Sequence, residues 1–138
     1  MKLHQNVVET FINFVRNFSG HTDPSKLRNK FEACSLTIYK KQDGSLVLVD
    51  TESLVSEIRK QNGPVPELAT LYFHKSAVDH IMKLESMYGG YANESKLKNH
   101  FLELDFTPYQ RALSNETILV LTKDYMDALQ GKRSWQEI

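Results

Sequence analysis

This chain of 138 residues has a single cysteine, Cys34. No internal disulfide is therefore open to it, and the expectation is a protein folded in a reducing interior. It also has no surplus of charge, because 17 Lys and Arg balance 17 Asp and Glu. That balance counts against a strongly basic nucleic-acid binder and leaves room only for a local patch. No apolar run approaches the roughly 20 residues of a membrane span. Asn6, Glu9 and Asn13 interrupt the first segment, so no secretory signal is read there. The expectation is a cytoplasmic protein, or a nuclear one in a eukaryote, with no membrane contact. The phosphate-binding and nucleophile motifs GxxxxGK[ST], GxGxxG and GxSxG are absent. His74 and His80 are six residues apart, and no histidine pair has the four-residue spacing of a helical zinc site. No metal, cofactor, catalytic residue or enzymatic activity is expected. With 41% hydrophobic and 25% charged residues, the chain is otherwise ordinary globular protein.

What the chain does have is an internal echo. Residues 25–31 read SKLRNKF and residues 95–101 read SKLKNHF. At that offset of seventy, Val8, Gly20, Thr37 and Tyr39 also meet Val78, Gly90, Thr107 and Tyr109. With Ser25, Lys26, Leu27, Asn29 and Phe31 these make nine identities over positions 7–39, where average usage gives roughly two. The spacing predicts two similar halves, residues 1–63 and 64–138, packed as one unit.

Apolar spacing predicts a helix over 5–18 with Val7, Val8, Phe11, Ile12, Phe14, Val15 and Phe18 on one face. Gly20 is read as its stop, and Asp23-Pro24 as the start of a second helix carrying Leu27 and Phe31 inward. A hairpin follows around Asp43-Gly44, then a third helix capped by Asp50 or Thr51. GPVPE at 63–67 reads as a connector, and 68–73 as either strand or helical turn. The order then repeats: a helix over 75–88, one over 94–103 capped by Asn93, a hairpin, and a helix capped by Thr122. Two extra residues in the second hairpin are expected to move the offset from seventy to seventy-two. The halves are expected to pack through helices 5–18 and 75–88. Glu85 falls within the apolar face and is read as an opening in the packing or a polar contact between halves. Cys34 is read as a small, partly buried core residue rather than a nucleophile.

Helix, glycine turn, basic helix, hairpin, helix is the order of a winged helix-turn-helix, and KLKNHFLELDF followed by a hairpin and ETILVLTKDYMDAL resembles that family. The resemblance implies an α+β fold of two pseudo-symmetric winged-helix-like halves. It makes residues 24–33 and 94–103 the recognition-helix equivalents, and 40–45 and 110–115 the wing tips.

On a helical wheel, Asn29 and Asn99 point away from the buried Leu and Phe stripes, flanked by Lys26 and Arg28 and by Lys96 and Lys98. Lys30 and His100 lie nearer the core edge, and Lys40, Lys41 and Arg111 add charge at the wing tips. Lysine and arginine suit phosphates and guanine edges, and asparagine suits adenine. One expectation is therefore a non-enzymatic DNA-binding regulator or accessory protein. The same residues also describe a solvated helix face, and zero net charge suits a protein–protein adaptor on the same scaffold. Met87, Tyr91 and Trp135 are the expected subunit contacts, giving a homodimer.

Overall fold

The computed structural model describes residues 1–19, 23–90 and 93–134. Its elements are β1 (Lys2–Leu3), α1 (Gln5–Phe18), α2 (Pro24–Glu32), β2 (Ser35–Lys40), β3 (Leu46–Asp50) and α3 (Thr51–Lys60). After the connector come β4 (Leu71–Phe73), α4 (Lys75–Tyr88), α5 (Glu94–Glu103), β5 (Phe106–Gln110), β6 (Thr117–Leu121) and α6 (Thr122–Leu129). The order strand, helix, helix, strand, strand, helix thus occurs twice. Gly20 and Tyr91 lie outside the described residues, and α1 ends on Ser19, whose N–H bonds the Val15 carbonyl.

The fold is α+β, and the described residues form six helices and one curled, mixed sheet of order β1-β3-β2-β4-β6-β5. Within each half the leading strand runs parallel to the last strand of the hairpin, β1 with β3 and β4 with β6. β2 and β4 join the halves antiparallel, with Ser35 opposite Tyr72. The curl brings the two ends of the sheet together: Lys2 bridges Asp105, and the Phe106 N–H donates to the Met1 carbonyl at 2.9 Å. That bridge is the β2–β4 pairing shifted by seventy residues.

The first helix of each half is preceded by a histidine. The N–H of His4 and of His74 bonds a strand carbonyl, Leu48 and Leu119, at 2.8 Å. Each Nδ1 then accepts the N–H two residues on, capping α1 and α4. One face of the sheet packs on α1, α2, α4 and α5. Phe11 sits among Phe31, Phe73 and Phe101 with ring centroids 5.1–5.8 Å apart and edge-on geometry. Leu27, Phe31, Leu97 and Phe101, the buried stripe read from the echo, all enter this core.

Several expectations are corrected. The halves meet through α1 on α5 and α2 on α4, rather than through a broad seam of α1 with α4. Only one extra residue separates the hairpins. Leu36 pairs Asp50 where Phe106 pairs Leu121, so the later offset is seventy-one and Thr51 matches Thr122. Leu121, not Thr122, therefore holds the cap position of α6, with no side-chain cap bond. Asp23 and Asn93 stand at their cap positions but likewise make no side-chain cap bond. The 68–73 ambiguity resolves as strand only over β4, Leu71–Phe73, and residues 68–70 have no regular structure. Glu85 is a contact between halves, accepting the Ser19 hydroxyl at 2.5 Å.

Candidate functional site

The two basic helices are the surface that the sequence singles out. On α2, Arg28 is half-buried. Its guanidinium binds Glu32 Oε1 at 3.1 Å on the same helix and Asp79 on α4. The Asp79 hydrogen bond is the chief reason its pKa is raised, so this charge is spent within the fold. Lys26 lies 3.9 Å from Asp23, and Asn29 is exposed. The Lys30 ammonium sits 5.1 Å over the Phe18 ring. On α5, Lys96 and Asn99 are exposed and Lys98 is half-buried, and neither lysine has an ion pair among the described residues. His100 is turned inward and stacks on Tyr88 with centroids 4.4 Å apart.

The hairpin tips are polar and tightly turned. Gly44 takes φ of 89°, and the Asp43 carboxylate accepts the Ser45 N–H and hydroxyl, which lowers its pKa. Lys40 and Lys41 are exposed beside it. In the second tip Arg111 reaches Glu116 at 3.7 Å, and Leu113 is fully exposed. Of the expected subunit contacts, Met87 is exposed on α4, while Tyr91 and Trp135 lie outside the described residues. Arg28 is neutralised, Lys30 and His100 lie over rings, and the rest are spread over two helices and two tips.

Sequence reasoning passed over a different feature, a groove of about 920 Å³ between α1, the end of α2 and α3. Its apolar lining comes from Val7, Phe14, Leu36 and Val55, and Lys30, Arg59 and Lys60 supply its cations. The groove exists because α3 stands off the body: Leu54, Val55 and Ile58 are only half-covered, and no α3 residue is buried. α6, its counterpart, buries Asp124 and Ala128, and Ala128 packs on Ile118 and Val120. The signal in the sequence was the run of small residues Ala33-Cys34-Ser35, which meets the bulkier Glu103-Leu104-Asp105 in the second half.

Burial pushes the Cys34 thiol up to about 12, helped by the negative charge of Asp50, so it carries almost no thiolate near neutral pH. The Thr51 hydroxyl is held by Thr37 at 2.6 Å and by Ser35 at 3.1 Å, and Thr107 and Thr122 repeat the contact at 2.8 Å. These hydroxyls fasten the last helix of each half to its hairpin and are not free nucleophiles. His74 and His80 have lowered pKa values, chiefly through burial, with the nearby Asp124 carboxylate opposing the shift. Among the described residues, no group of three or more His, Cys, Asp or Glu is placed to hold a metal ion. No described helix is long and apolar enough to cross a membrane. No family model, curated protein or solved structure matches this chain.

Proposed function

We propose that this chain is a non-enzymatic interaction module that binds a polypeptide partner. The reading is carried by the open, apolar-floored groove beside α3, whose volume lies within the range of ligand-binding clefts. The neutralisation of Arg28 by Asp79 and Glu32 and the zero net charge support a protein partner over a duplex. The winged-helix kinship of the two halves belongs to the same proposal. It is supported by the helix–helix–hairpin order within each half and by the exposed hairpin tips. Self-association through Met87, Tyr91 and Trp135 is part of it too, and sedimentation equilibrium of a Met87→Asp variant tests that element.

A second reading, nucleic-acid binding, is favoured by Lys96 and Lys98, whose charges meet no acid among the described residues. Two measurements separate the readings. The full chain is panned against an unbiased displayed-peptide library, and it is titrated into labelled duplex at low salt by fluorescence anisotropy. Retained peptides with micromolar Kd and a silent duplex support the polypeptide reading. Duplex binding that Lys96→Glu abolishes, with no peptide retained, replaces it by the nucleic-acid reading.

A further inference from the structure

We propose that the groove between α1, α2 and α3 takes an amphipathic helical segment whose acidic residues face Lys30, Arg59 and Lys60. This rests on the polypeptide reading and names the class of partner. The walls of the groove are helices, so it accepts a helix against its apolar stripe rather than a strand added to a sheet edge. α3 has ten residues, roughly 15 Å of wall. Anchors at i, i+4 and i+7 of a docked helix span roughly 10 Å and fit within that length. Phe14 and Val55, both half-covered, offer the apolar contacts such anchors need, with Val7 and Leu36 buried behind them.

Charge gives the sign of the partner. Lys30, Arg59 and Lys60 line the groove with no ion pair among the described residues. Two carboxylates, Asp50 and Glu52, line the same groove, and Asp50 already accepts the Glu52 N–H as the cap of α3; three cations against two carboxylates leave the lining one charge positive. The second half supplies an independent comparison. At the positions of Lys30, Arg59 and Lys60 it has His100, Gln130 and Gly131, and at Cys34 it has Leu104, which is buried. The small Cys34 and the three cations therefore occur together in one half, where the matched positions of the other hold no lysine or arginine and a buried leucine. A helix there needs neither feature to fold, since α6 packs without them.

The test uses the full chain and a displayed library of amphipathic 14-residue helices. Leucine anchors are fixed, and the flanking positions are randomised among Glu, Gln and Lys. The expected result is enrichment of Glu at the flanks. Binding of the selected peptides, read by anisotropy, should weaken about tenfold in Arg59→Glu with Lys60→Glu. It should disappear in Ser56→Trp, which fills the groove from an exposed position. Unchanged far-UV circular dichroism and melting temperature show that these variants are folded. A selected pool without acidic bias, or binding indifferent to Ser56→Trp, overturns the inference. If the unbiased library yields binders while the helical library yields none, this inference falls and the polypeptide reading stands. If neither library yields any, both fall.

Discussion

At the scale of single residues, the polar side chains at the sheet do structural work that can be measured. Thr37 is 3% exposed, and its hydroxyl pairs with Thr51. Thr37→Val keeps the volume and deletes that bond, leaving Ser35 to satisfy Thr51. Loss of about 1 kcal/mol of stability is expected in urea denaturation. Cys34 should resist alkylation by iodoacetamide at pH 8 in the folded chain and react promptly in urea, as read by mass spectrometry, because burial holds it as the thiol. The histidines set a pH dependence with a definite sign. His74 and His80 are lowered from 6.5 in the fold, so around that pH the unfolded chain binds more protons. Stability from these groups is fully present above the unfolded value and is lost as pH falls below it toward the lowered folded values. The melting temperature should drop between pH 7.5 and 5.5, and the slope should shrink in His80→Gln.

At the scale of elements, α3 and α6 occupy matched places and behave differently. α6 buries Ala128 against Ile118 and Val120, while α3 buries nothing. Amides of Ser56–Lys60 should therefore exchange with deuterium faster than those of the last turn of α6, read by hydrogen exchange with mass spectrometry. Equal protection of the two would contradict a loosely held α3. The elements themselves were largely legible. The amphipathic stripe of α1, Asp23-Pro24 and Asp43-Gly44 are local signals of periodicity, start and turn, and each lies where the chain does what they say. The two-residue β1 was not legible, because Lys2–Leu3 is too short to show alternation and exists only by pairing with β3. The shift of seventy-one was misjudged for a related reason: an insertion inside a hairpin tip is fixed by strand register, which sequence alone does not display. The groove was the least legible feature. It arises from how far α3 stands from α1, a tertiary distance for which Ala33-Cys34-Ser35 gives only a hint of missing bulk.

At the scale of the whole molecule, the repeated elements make one structure rather than two. Phe11 of the first half packs on Phe73 and Phe101 of the second, and Phe31 lies 6.4 Å from Phe101. The sheet is joined at β2–β4 and again where β1 reaches Asp105 and Phe106. Either half alone would expose this shared apolar core, and a chain of about 60 residues is already marginal. Residues 1–63 expressed alone should show no cooperative thermal transition by circular dichroism, while the full chain should unfold in a single step. Phe11→Ala, which removes the ring at the centre of both halves, should cost about 3–5 kcal/mol and lower the whole transition together. A fragment that melts cooperatively, or two separated transitions in the full chain, would show that the core is divided. Because α3 hangs from this common core by its hairpin and its threonine, the groove can yield to a partner without loosening the Phe cluster beneath it. Melting temperature and peptide affinity should thus respond to separate substitutions: Phe11→Ala moves the first, and Ser56→Trp abolishes the second while leaving the first in place.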